Sequence, residues 1–152
     1  MPDTITMDQW PAYLESVARD LEKLSFETCL RDEVGPVIRD RIDMNFALEQ
    51  TADGEPWADL APSTIKRKGH DRILVETGAM RTAATTPGAG HSIEVTERGL
   101  ADGVDQAAIP YAIFHQVGTS RLAQREFIGI NEDTVERMAD RIADFTVRSL
   151  KK

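Results

Sequence analysis

His70, His91 and His115 are the residues from which a metal centre or an acid–base site would have to be built. Zinc ligands come as His and Cys pairs a few residues apart, because one stiff piece of backbone must present two donors to one ion. None of the three has a second His or Cys at such a spacing, and Cys29 is the sole cysteine. His70 lies in a basic loop and His91 in a glycine-rich tip. His115 lies in Tyr111-Ala112-Ile113-Phe114-His115-Gln116, where the plainer expectation is a packed ring bonded to backbone. Ser63 and Ser120 lack the G-x-S-x-G setting of a nucleophile elbow. Gly88-Ala89-Gly90 has neither the lysine nor the strand–helix frame of a phosphate loop. With 26 carboxylates in the chain, chance pairs are unavoidable and none stands out. The expectation is no catalytic residue, no metal and no cofactor. Lys66-Arg67-Lys68 is the one cationic cluster. It reads first as a solvated helix end, where cations meet the negative end of the dipole, and second as a contact with DNA or an acidic partner surface.

Charge narrows the partners. The net charge is −8 over 152 residues. Residues 1–59 hold 14 acidic against 5 basic side chains, while residues 60–81 hold 5 basic against 2 acidic. Binding DNA requires neutralising phosphates with Lys and Arg, so a general nucleic-acid binder is not expected. A basic partner, or an acidic wall that repels passing DNA, suits this distribution better. No apolar run approaches the roughly 18 residues of a membrane helix. Met1-Pro2-Asp3-Thr4 does not begin a secretory signal. A single cysteine cannot close an internal disulfide, which fits folding in a reducing cytoplasm, with Cys29 acting as a small apolar residue.

The elements that carry these residues follow from periodicity. Asp8 is placed to cap a first helix whose stripe is Trp10, Leu14, Val17, Ala18, Leu21 and Leu24, with Pro11 in the first turn. Ser25 or Thr28 restarts a second helix over residues 25–50, with Cys29, Leu30, Val34, Val37, Ile38, Ile42 and Phe46 on one side. Gly35-Pro36 should kink or split it. Residues 49–62 read as a loop, Pro62 opens a short helix that Gly69 ends, and Thr77-Gly78 makes a turn with positive φ at the glycine. Thr85 to Gly90 reads as a tip with nothing to pack, and His91 to Val104 as a hairpin turning at Arg98-Gly99. Tyr111 to Val117 is a short helix stopped by Gly118, Arg125 to Ile130 is extended, and Asn131 caps a last helix with stripe Val135, Met138, Ile142, Phe145 and Leu150. The class expected is α+β in a single domain over 1–152, with a helical N-terminal region over 1–50. A small antiparallel sheet would carry the N-terminal and C-terminal helices, Tyr111, Phe114 and Phe127 would supply core aromatics, and the 25–50 helix would be free to project or to pack on a neighbour.

Four blocks in this framework share an order with a known family. Trp57, Leu60 and Thr64 through Lys66 resemble a tryptophan–leucine–threonine–lysine block of the phage virion-morphogenesis family. Leu74-Val75-Glu76-Thr77-Gly78-Ala79-Met80-Arg81 resembles its L-x-x-T-G-x-L-R block. Tyr111-Ala112 with His115, Gln116 and Gly118 resembles Y-A-x-x-H-Q-x-G, and Arg125-Glu126-Phe127-Ile128-Gly129 resembles R-P-F-[LI]-G. The blocks span residues 56–129, about half the chain. Glu126 departs from the usual proline, leaving a free N–H and more backbone freedom there. The resemblance implies a structural protein of a tailed phage particle with no catalytic role. It would act at the neck or head-proximal tail end in tail completion and head–tail joining. It also implies a ring of copies of itself, commonly sixfold in related proteins. Neck, connector and tail-tube or terminator proteins would be partners, with at most non-specific proximity to DNA and no membrane. The location implied is the neck and tail region of the virion, after assembly in the host bacterial cytoplasm.

Two other classes compete. A prophage-encoded enzyme would need a ligand set, phosphate loop or nucleophile–base pair. A regulatory binding protein would need a helix-turn-helix with a basic recognition helix, whereas Gly69 follows the basic cluster at once. An acidic N-terminal region beside a basic 60–81 segment also leads us to expect head-to-tail contacts between copies.

Overall fold

The computed structural model describes residues 6–96 and 99–150. Its elements run α1 (Trp10–Glu22), α2 (Phe26–Cys29), a π turn (Leu30–Val34), α3 (Gly35–Leu48), α4 (Pro62–Lys68), α5 (Ala79–Thr85), β1 (His91–Thr96), β2 (Gly99–Val104), α6 (Ala112–Val117) and α7 (Glu132–Leu150). The class is α+β.

Local chemistry accounts for most of the boundaries. Ser25 caps α2 by accepting the Thr28 N–H at 3.3 Å. Pro36 cannot donate to the preceding turn, and the helical path takes it up as a π turn followed by α3, with Pro36 in the first turn of α3. Asn131 Oδ1 accepts from the Thr134 N–H at 3.0 Å and from its hydroxyl at 2.7 Å, which caps α7. At α1 the cap position is Gln9, not Asp8, and it makes no side-chain cap bond. Gln9 Oε1 accepts the Thr6 N–H instead. Asp8 sits one residue outside, its carboxyl held below the usual range first by a hydrogen bond from the Thr6 side chain.

The core lies on α3 and not on the sheet. Ile42 and Phe46 meet Trp57, Ile73, Met80, Ala84, Ala112 and Phe127, and Val104 only reaches the margin. The sheet is a two-stranded antiparallel hairpin with register His91↔Val104 to Thr96↔Gly99. Gly99 pairs within β2, and Arg98 of the expected turn lies outside the described residues. The hairpin packs on α5 and α3, while α7 packs on the π turn, α3 and α1. Expectation and structure therefore differ on what carries what. A two-stranded ribbon has too little apolar face to organise a core, and the 25–50 segment, expected to project or to pack on a neighbour, supplies the core's centre through Ile42 and Phe46. The element at the margin is α1, which packs on α7 and has no buried residue.

Residues 79–85 form a helix that the sequence pattern does not anticipate, with Met80, Ala83 and Ala84 buried, while residues 86–89 of the expected tip are exposed. One further expectation is corrected. Of the three aromatics expected in the core only Phe127 is there, while Tyr111 and Phe114 are exposed at 44% and 51%.

Candidate functional site

The extended segment Arg125–Gly129 is fastened from four sides. Trp57 donates its indole N–H to the Glu126 carbonyl at 2.9 Å and stands edge-on to Phe46, 5.6 Å between ring centres. Gln116 uses both ends of its amide. Its Nε2 donates to the Ile128 carbonyl at 2.8 Å, while Oε1 accepts the N–H groups of Phe127 at 3.2 Å and Ile128 at 3.0 Å. A side-chain amide can donate from one end and accept at the other, which suits it to clamp one strand. Arg125 turns back into the chain, its Nε donating to the Ala58 carbonyl at 2.8 Å and Nη2 to that of Asp59 at 3.0 Å. Asn45 Nδ2 donates to the Phe127 carbonyl at 3.1 Å from within α3. Where the resemblance has proline, Glu126 keeps the carbonyl that Trp57 needs.

The remaining motif positions shape the turns around this knot. Gly78 has φ 83° at the start of α5, the left-handed conformation expected of the Thr77-Gly78 turn. Gly118 has φ 73°, and a Cβ there would stand 3.0 Å from the backbone nitrogen of Gln124, so the chain closes against it. Leu74 adopts φ 56° without being glycine. Gly129 leaves room for the Glu126 carboxylate, which a Cβ would meet at 2.7 Å. Leu60 and Leu74 are half-buried against the core. Lys66 is exposed on the outer side of α4.

Beside the knot runs an open groove of about 650 Å³. Leu60 and Thr64 from the first block, Leu74, Thr77 and Gly78 from the second, Tyr111 and His115 from the third, and Arg125 from the fourth all line it. The four blocks, scattered over the sequence, thus meet on one surface. Arg67, Lys68, Arg121 and Arg125 also line it against only Asp59 and Glu76, an excess of cations in a chain of net charge −8. Of the cationic cluster, Arg67 and Lys68 face this groove and Lys66 does not. Arg67 pairs with Glu76 at 2.6 Å, and Lys68 Nζ donates to the Arg72 carbonyl at 2.6 Å. Burial lowers the Lys68 ammonium and the Arg125 guanidinium below their ordinary values.

His115 is half-buried at the groove wall, its ring edge-on to Tyr111 at 6.4 Å. The expected bond from its ring to backbone is absent. Nδ1 is buried without a hydrogen-bond partner, and it is the main-chain carbonyl that is used, accepting the Arg125 N–H at 2.8 Å. Burial, then Arg125 and Lys68, push its pKa below the ordinary 6.5. His91 is not in a loose tip. Its side chain is 1% exposed, Nδ1 donates to the Ala83 carbonyl at 2.8 Å, and Nε2 lies 3.2 Å from Asp102 Oδ1 without hydrogen-bond alignment. Arg39 of α3 closes an ion pair on the other oxygen of Asp102, which ties the hairpin to the core helix.

Sequence reasoning missed Asn45, Arg41 and this Arg39–Asp102–His91 cluster. Arg41 and Asn45 had a signal: they stand four apart and beside Ile42 and Phe46 on a helix face that is otherwise apolar, where a polar residue must find a partner. Arg41 finds the Ala52 carbonyl at 2.9 Å. Among the described residues, no His, Cys, Asp and Glu group is arranged to hold a metal ion.

The phage virion morphogenesis family matches residues 8–145. The chain belongs to that family. It is also similar to the Mu-like prophage FluMu G protein 1 of Haemophilus influenzae, 30% identical over 109 residues, which is 70% of this chain and 70% of that protein. No solved structure matches. Family members serve virion morphogenesis, so this chain has a role in building the phage particle. The match begins within the turn before α1 and ends inside α7, so it takes in α1 as well as the knot. Among the described residues, no helix is long and apolar enough to cross a membrane.

Proposed function

We propose that this family member is a ring subunit that completes the tail at its head-proximal end and stabilises the joint between tail and head. Membership of the virion morphogenesis family carries the reading, and the placement of all four blocks around one knot and one groove supports it. A protein selected for a reaction concentrates its signature on reacting groups. Here the signature residues are a tryptophan anchor, an amide clamp, a buried arginine and turn glycines, which fix the shape of a surface. The work proposed is therefore assembly, with no catalysed step. Its partners would be further copies of itself, six in a ring, and the connector and tail-tube or terminator proteins on either side, within the neck of the virion.

Electron microscopy of particles made without the protein tests this. Filled heads alongside normal or over-long tails that fail to join are expected. Empty heads with unpackaged DNA would assign the protein to packaging instead.

A further inference from the structure

Helix α1 and the cationic groove are complementary surfaces on opposite accounts of charge and exposure. On α1, Trp10, Leu14 and Leu21 are 42%, 55% and 40% exposed, although their spacing is that of a buried face. Val17 on the same stripe, and Leu24 just beyond the helix, are only partly exposed, and α1 packs on α7, so the exposed part is the flank formed by Trp10, Leu14 and Leu21. Glu15 and Glu22 follow Leu14 and Leu21 by one position, so acidic groups border the exposed stripe. The groove inverts this pattern. Its floor is apolar, with Met80 buried and Leu60, Leu74 and Val75 packed on the core. Arg67 and Arg121 stand exposed at its rim.

We propose that α1 of one copy lies in the groove of the next, with Trp10 and Leu14 over the floor and Glu15 and Glu22 towards Arg67 and Arg121. The contact joins two different surfaces, so each copy offers one of each, and repetition closes a ring or extends a filament. This rests on the proposed ring, and it names the surfaces that make it. It also covers the flank of α1 that Trp10, Leu14 and Leu21 leave exposed.

Charge exchange tests the interface. One variant carries Arg67→Glu and Arg121→Glu, the other Glu15→Lys and Glu22→Lys, all at exposed positions, and circular dichroism checks that both fold. Sedimentation of each variant alone should show self-association weakened roughly tenfold or more, since like charges then meet across the contact. Mixed in equal amounts, the two should assemble again, because every groove–helix pair in an alternating ring is once more opposite in charge. If the parent associates and the variants associate equally well, or if the mixture fails to recover, this interface is wrong while the ring stands. If the parent is a monomer at all concentrations and on isolated tails, both ring and interface fail. If binding to tails is lost on reversing the groove but unchanged on reversing α1, the occupant is another phage protein and the proposal is overturned.

Discussion

Trp57 carries the largest single stake at the scale of the residue. It is 5% exposed, edge-on to Phe46, and bonded to Glu126. Trp57→Ala should lose roughly 3–5 kcal/mol of stability, the usual range for emptying a large aromatic site. Trp57→Phe should lose less, because it keeps much of the ring but leaves the Glu126 carbonyl without its donor. Denaturant unfolding of both variants checks this, and a midpoint unchanged in Trp57→Ala would place the ring outside the core. His115 gives a pH dependence whose sign is fixed. Its folded pKa lies below 6.5, the ordinary value, so the unfolded chain takes up a proton first. Stability is therefore full above about 6.5 and declines as pH falls through the lower folded value. His115→Gln should remove that part of the decline just below pH 6.5, the ordinary value, while the carboxylate-driven loss at lower pH stays. An unchanged slope in that window would mean that His115 is not the group responsible.

Among the elements, the hairpin is tied to α3 by the buried Arg39–Asp102 pair. Its outward faces are open, with Ile93 and Glu94 exposed, and Asp102 is buried against an arginine of α3. Asp102→Asn should leave Arg39 without its counter-charge and destabilise the fold by about 3–5 kcal/mol, as breaking one side of a buried pair does. Amide hydrogen exchange should then rise first in β1 and β2, whereas uniform protection would show the hairpin held by other contacts. The elements themselves were largely legible. Ser25, Asn131, Pro36, Gly69 and Gly118 punctuate the chain by mechanisms that act within one turn, and the structure has boundaries at each. What was not legible was tertiary. The alternation of Ile93 and Val95 identifies a strand but cannot say that the ribbon has no third partner. The stripe of α1 has helical period, but the period does not say whether its own chain covers it. Helix α5 was hidden because seven residues rich in alanine and threonine after Thr77-Gly78 read equally as a turn, and only its burial of Met80, Ala83 and Ala84 distinguishes it. In the groove the motif residues were named from sequence, whereas their meeting with Arg67, Lys68 and Arg121 required the fold.

For the whole molecule, the uneven charge becomes an assembly property. Acidic α1 and the cationic groove sit at different places on one subunit, so association between copies should weaken with salt, most steeply where the Debye length drops below about 10 Å. Sedimentation at low and high salt reads this directly, and a salt-independent oligomer would mean that apolar contacts alone hold it. On the proposed function a signature made of packing residues is expected: a joint protein would have to present the same rigid surface in every copy, and the knot around Arg125–Gly129 would supply that rigidity. The most direct measurement is reconstitution. Heads and tails purified from particles made without this protein are mixed, with and without the purified subunit, and infectious particles are counted. The account predicts that joining occurs only on addition of the protein and only when its folded surface is intact, so that Trp57→Ala protein is inactive at temperatures where it unfolds. Heads and tails that join equally well without it would contradict the account.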